Sequence, residues 1–322
     1  MTAMSLPSDV FATHYHGLPE GRRLGYSVVG PDQAPDVLLC LPGLLETRQT
    51  FDPVLRAATT HPALRVLSLD HCGRGDSSPL PGDQGYAMGQ YLADIRQFIE
   101  QHVLAQGAQR LHVLGTSMGG ILAMYLAAES RWPIRTLMLN DVGLSFYWVS
   151  IYGLYDGMKQ SARAHDPDQL AAELHVTPGA LLAVQSPHHF DLPYKKDWKG
   201  MHFGHLLTSF NGAVRLVHGQ ESAVCLSDQV RELRQSFPNA QVMAVAQAKH
   251  PAPFTPEVCA FLLSGLAVER VAPAGQLPLP LDAAPVPTAT NAPSEPTASP
   301  TPVDVATPAD TGLWSWLKRR LR

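Results

Sequence analysis

Long apolar runs are missing from this 322-residue chain: no stretch approaches the ~20 consecutive apolar residues that a membrane-spanning helix requires. An excess of positive charge is missing as well. The formal net charge of -4 gives no reason to expect a nucleic-acid partner. Paired cysteines are missing too. Cys40, Cys72, Cys225 and Cys259 are scattered with no CxxC spacing, so reduced thiols in a reducing compartment are expected. The opening residues, MTAMSLPSDVFATHYHG, show neither the basic start nor the apolar segment of a secretory signal. These absences together point to a soluble, cytoplasmic protein. With 45% hydrophobic residues, the chain is long enough to bury a large core.

What is present is a series of short apolar runs separated by helical stretches. VLLCLPG (37–43), RVLSLD (65–70), LHVLG (111–115), RTLMLND (135–141), VRLVHG (214–219) and QVMAVA (241–246) are near-continuous apolar runs. Such runs suit strands of a mostly parallel sheet covered by helices on both faces, joined by right-handed βαβ units. The more polar opening, THYHG and RRLGYSVVG, reads as an edge hairpin. Residues 142–212 are too many for one crossover. With their aromatic cluster of Phe146, Tyr147, Trp148, Tyr152 and Tyr155, they read as a helical cap inserted over the carboxyl end of the sheet. The α/β core is therefore expected at 1–141 and 213–268. TPEVCAFLLSGLAV (255–268) is its last helix.

Composition then changes. Residues 270–311 carry ten of the 28 prolines, mixed with Ala and Thr, and a disordered linker is expected over 269–311. The final segment, 312–322, is GLWSWLKRRLR. On a helix, Leu313, Trp314, Leu317 and Leu321 share one side, opposite Lys318, Arg319 and Arg322. This short amphipathic basic tail suits peripheral docking on a membrane, a granule or a protein.

The stretch LHVLGTSMGGILAMYLAA (111–128) carries the chemistry. A strand, a G-x-S-x-G bend (Gly115 to Gly119) and an Ala/Leu/Met-rich helix follow one another. That context lifts Ser117 out of the sheet and aims a helix N-terminus at whatever it attacks. Side chains at Gly115 and Gly119 would collide across so tight a turn. A serine hydroxyl is a poor nucleophile without a base, a group to orient that base, and donors for the oxyanion that forms. The Met118 N–H is one candidate donor. The second is the Leu44 N–H, in the loop that follows LLCLPG, where Gly43 lets the backbone approach a substrate.

These segments resemble the α/β-hydrolase fold superfamily, in its serine-esterase and meta-cleavage-product-hydrolase-like lineage. GTSMGG is similar to the family's nucleophile elbow, and LPGLLETRQTF stands in the place of its oxyanion loop. DHCGRGDS (70–77) is similar to its D-x-R-G-x-G-x-S turn, and LMLNDVG and AKHPAPF resemble its sixth-strand and histidine-loop segments. Pro42 replaces the usual His before Gly43, and Cys72 stands where the turn usually has Arg. The resemblance covers roughly residues 20–268 and implies the order Ser, acid, His, with His250 as general base.

The acid is open at this stage. The family's usual position after the seventh strand holds Ser222 and Ala223, neither of which can serve. Asp141, at the end of the sixth strand, is the first choice and Glu221 the alternative. Asp70 and Asp76 are expected to shape the turn after the fourth strand, and Asp94 to support the elbow from a neighbouring helix. The His-rich run Pro187-His188-His189-Phe190-Asp191, with His202 and His205, matches no strong metal-ligand spacing, so no metal and no cofactor are implied.

The resemblance implies a serine hydrolase acting on a small or medium apolar ester or similar acyl bond. A serine nucleophile argues against the haloalkane dehalogenase chemistry of this fold. An acyltransferase or a C–C bond hydrolase with the same triad is the alternative within catalysis. A catalytically weak fold used as a binding module is the alternative outside it.

Overall fold

The computed structural model describes residues 11–82, 85–147, 149–150, 153, 166–185, 189 and 200–266. The proposed linker at 269–311 and tail at 312–322 lie outside the described residues, as do Trp148, Tyr152, Tyr155, Pro187, His188, Phe190 and Asp191. The elements run β1 (His14–Gly17), β2 (Arg23–Val29), β3 (Asp36–Leu41), α1 (Asp52–Ala58), β4 (Leu64–Leu69), α2 (Met88–Ile99), β5 (Arg110–Thr116), α3 (Met118–Ala128) and β6 (Ile134–Asn140). Then come β7 (Ser145–Tyr147), α4 (Pro167–Leu174), α5 (Pro178–Ala183), β8 (Gly200–His202), β9 (Ala213–Gly219), α6 (Ser227–Ser236), β10 (Gln241–Val245) and α7 (Pro256–Leu263).

Eight strands form one sheet in the order β1-β2-β4-β3-β5-β6-β9-β10. Pairs from β4 through β10 are parallel, and the β1–β2 hairpin joins antiparallel at one edge, as its polarity predicts. Period-two alternation explains why the central strands read as unbroken apolar runs. In β3, Val37, Leu39 and Leu41 enter the core on one face, while Leu38 and Cys40 enter the core on the other with Phe51, Val54, Leu262 and Leu263. α2 and α3 cover the first face, and α1 and α7 the second.

Chain order reverses between β3 and β5. β3 has β4 on one side and β5 on the other, so the loops leaving β3 and β5 diverge and open a crevice at their carboxyl ends. Leu41 pairs with Gly115 across that boundary. Leu44 and Met118 each lie three residues beyond this pair.

The segment between β6 and β9 contributes α4, α5 and the two-stranded β7–β8 sheet. α4 begins at Asp166, whose carboxylate accepts the N–H groups of Asp168 and Gln169. This segment is tied to the turn after β4: the Gly75 N–H donates to His175 O (2.7 Å) and the Thr177 N–H to Gly73 O (2.8 Å). All four cysteines are free and buried. Among the described residues no helix is long and apolar enough to cross a membrane.

Candidate active site

Ser117 sits between β5 and α3 with φ 51° and ψ -115°, a conformation costing on the order of 1–3 kcal/mol for a non-glycine residue. The two flanking glycines make the bend sterically possible. A Cβ at Gly115 would lie 2.2 Å from Gly119 O, and one at Gly119 would lie 2.0 Å from Leu41 O. The strained serine is pinned by its N–H, which donates to Asn140 O at the end of β6 (3.1 Å).

His250 reaches the site from the loop between β10 and α7. Its Nε2 accepts from Ser117 Oγ (2.9 Å) and its Nδ1 donates to Asp141 Oδ2 (2.8 Å). The ionised carboxylate can only accept, so the proton belongs on Nδ1 and the lone pair faces the serine. Asn140 braces this loop by donating its amide N–H to Ala252 O (3.0 Å).

Asp141 is fully buried and adopts φ 58°, a left-handed conformation that Asp and Asn tolerate better than most residues. Its Oδ1 accepts the Gly219 N–H (2.9 Å), from the turn that follows β9. Burial pushes its carboxyl up, but the imidazoles of His218 and His250 and the Ser222 hydroxyl outweigh burial and hold it below the usual carboxylate value. The turn after β9, which lacks the acid itself, thus supplies a backbone donor to the acid at the end of β6. Glu221 is exposed, and among the described residues its carboxylate makes no contact with His250. The structure therefore brings Asp141, and not Glu221, to the histidine.

Leu44 and Met118 are buried, and neither backbone N–H is engaged by another described group. Both lie three residues beyond the Leu41–Gly115 pair, at the carboxyl ends of the adjacent strands β3 and β5. The loop carrying Leu44 is held from two sides. Glu46 Oε2 accepts the Gly43 N–H (2.8 Å), and Arg74 grips Leu44 O through Nε and Nη2 (3.2 and 3.1 Å).

Arg74 has no exposed surface and also donates Nη1 to Cys72 O (2.9 Å) and Tyr91 Oη (2.8 Å), its guanidinium lying over the Tyr91 ring. Burial, then the Arg74 charge, pushes the neighbouring His71 down to about 3, so that it stays neutral beside the cation. His71 Nε2 donates to Pro42 O (3.1 Å), adding a further tie to the same loop. Burial likewise raises the Cys72 thiol to about 12, which keeps it inert.

The sequence reading places an arginine deficit at Cys72. The structure shows Arg74, two residues later, bracing this loop. An arginine inside a glycine-rich turn between apolar elements is the sequence feature that points to it.

Asp70 and Asp76 do shape the turn after β4, through Arg48. Its guanidinium contacts Asp70 Oδ2 (2.5 Å) and Asp76 Oδ2 (2.7 Å). Asp94 departs from expectation. It forms a two-pronged pair with Arg22 (2.9 Å for both contacts) and accepts from Gln90, so it braces the turn between β1 and β2 instead of the elbow. The described members of the His-rich set have other partners. His189 lies against Tyr91, and His202 pairs with Glu232 (2.8 Å). A cavity of about 440 Å³ adjoins His250, lined by Glu46, Thr50, Asn140 and Phe254 but not by Ser117.

The family model described as alpha/beta hydrolase fold matches residues 36–169, which span the Leu44 loop, the bend at Ser117 and Asp141. The chain has the α/β-hydrolase fold. It is similar to a 3-hydroxybutyrate-oligomer hydrolase of Cupriavidus necator, 37% identical over 121 residues that cover 38% of this chain and 39% of the relative. The match thus spans well under half the length of that protein. An sn-1-specific diacylglycerol lipase of Mus musculus is 24% identical over 268 residues, covering 74% of this chain and 85% of the lipase. Among solved structures, an alpha/beta hydrolase from Novosphingobium aromaticivorans shares the fold with a TM-score of 0.58 at 22% identity, covering 79% of this chain and 98% of that one.

Proposed function

We propose that this protein is a serine hydrolase that cleaves a small or medium apolar carboxylic ester through an acyl-enzyme. The observation that carries the reading is the chain of hydrogen bonds from Ser117 through His250 to Asp141, at 2.9 and 2.8 Å. His250 Nε2 takes the serine proton as Oγ attacks the ester carbonyl, and the Leu44 and Met118 N–H groups receive the oxyanion. His250 returns the proton to the departing alcohol. A water molecule, deprotonated in turn by His250, then releases the acid. Asp141 keeps the imidazole in its Nδ1–H tautomer and stabilises the imidazolium. In this reading residues 1–141 and 213–268 form the catalytic core, and residues 142–212 form a cap whose apolar side chains select the acyl group.

The test is hydrolysis of p-nitrophenyl esters from acetate to octanoate. 3-Hydroxybutyrate oligomers join the panel because the Cupriavidus relative is named for them. Turnover and covalent labelling by a fluorophosphonate are expected in the wild type, and both are lost in Ser117→Ala. Turnover that survives Ser117→Ala overturns the reading. Added alcohol separates hydrolysis from acyl transfer: an ester product in place of free acid assigns the transferase activity.

A further inference from the structure

Beside the triad acid lie two side chains that the reaction does not use, His218 and Cys225. Asp141, His218 and Cys225 are all buried, and one ligand-type atom from each lies within 4.8 Å of the other two. His218 Nδ1 has no hydrogen-bond partner and stands 3.8 Å from Asp141 Oδ1, beyond hydrogen-bonding distance, although the residue is only 8% exposed. A buried ring nitrogen without a partner is costly, and this one points at a carboxylate oxygen with a thiol alongside.

We propose that Asp141, His218 and Cys225 bind a divalent transition-metal ion, Zn2+ by preference, and that the bound ion inhibits the hydrolase. The donor set decides the class of ion. One oxygen, one imidazole nitrogen and one sulfur suit Zn2+ and exclude Mg2+ and Ca2+, which favour oxygen ligands. Tetrahedral Zn2+ with bonds of about 2.0–2.3 Å holds its ligands roughly 3.3–3.6 Å apart, so the three atoms need to close in by about 1 Å. The turn bearing Cys225 is already held, because Ser222 Oγ accepts the N–H groups of Val224 and Cys225 (3.1 and 3.0 Å).

Charge also balances. Binding expels the Cys225 thiol proton to solvent, after which carboxylate, thiolate and neutral imidazole together offset the two charges of the ion.

Inhibition rests on the assignment of Asp141 as triad acid. Oδ1 accepts one N–H, from Gly219, and has a second lone pair for the ion, while Oδ2 keeps His250. An ion on Oδ1 draws charge from the carboxylate, and the imidazolium that forms during acylation loses its stabilisation.

Co2+ is the probe, added to the full chain carrying Ser117→Ala so that binding is read without turnover. One equivalent is expected to give a thiolate-to-metal charge-transfer absorption that Zn2+ displaces. The band is expected to be lost in Cys225→Ser and in Cys225→Ala, and affinity to fall roughly tenfold or more in His218→Gln. Near-ultraviolet circular dichroism confirms that each variant is folded. Absence of the band in the parent, or its survival in both folded Cys225 variants, overturns the site. The second arm is ester turnover: Zn2+ inhibits the wild type, chelation restores it, and Cys225→Ser is active and resistant. A cobalt band with turnover unaffected by Zn2+ overturns the inhibitory role alone. Absence of any ester turnover counts against the proposed function and leaves the cobalt result to decide the site.

Discussion

His250 Nδ1 and Asp141 Oδ2 meet at 2.8 Å across 109 residues of sequence, joining the loop before the last helix to the end of the sixth strand. The contact exists because β6 and β9 are neighbours in the sheet: the turn leaving β9 packs over Asp141, and the Gly219 N–H fixes its other oxygen.

Exchange of the two acids separates their roles. Asp141→Asn is expected to lower kcat on the order of 10³–10⁴-fold, by supplying a donor where His250 needs an acceptor, with KM little changed. Glu221→Gln is expected to leave both within about twofold, as for an exposed loop charge without a specific partner. Steady-state kinetics on one p-nitrophenyl ester decides it, and a collapse in Glu221→Gln instead would move the acid to the β9 turn.

Acid stability carries the same residue's signature. The folded carboxyl of Asp141 is held below its ordinary value of about 3.9, so ionised Asp141 stabilises the fold above that pH. The contribution is lost as pH falls through the lowered folded value. Urea unfolding of the wild type between pH 3 and 7 should therefore lose stability toward the acid end more steeply than Asp141→Asn. Equal slopes would mean that the carboxylate has no net stabilising partner.

Arg74 is expected to matter to both fold and rate. Arg74→Met leaves Leu44 O, Cys72 O and Tyr91 Oη short of donors in a buried region. At about 1–3 kcal/mol for each unsatisfied group, a loss of roughly 3 kcal/mol or more is expected in urea unfolding. Loosening of the Leu44 loop should also lower kcat roughly tenfold under conditions where the variant stays folded. Unchanged stability and kcat would show that the loop needs no brace from this side.

Much of this architecture is legible in the sequence, for an identifiable reason. A strand buried on both faces has to be apolar throughout, so β3, β4, β5, β6 and β9 announce themselves. A bend between such a strand and a helix admits few residue types, so Gly115, Ser117 and Gly119 stand out. The acid is not legible to the same degree. Asp141 and Glu221 both follow strands, and only the packing of the β9 turn against Asp141 separates them. Arg74 is harder still, because three of its four hydrogen bonds go to backbone carbonyls, which leave no mark on residue identity. Asp94 misleads for a related reason: an acid on a buried helix face declares that it has a partner, but not that the partner is Arg22 in a distant turn.

The register that aligns Asn140 with Val217 sets Asp141 beside His218 and Gly219. Two adjoining strand ends therefore hold one carboxylate between them, so a shift of a single residue in this register would carry Asp141 away from the Gly219 N–H and from His250 together.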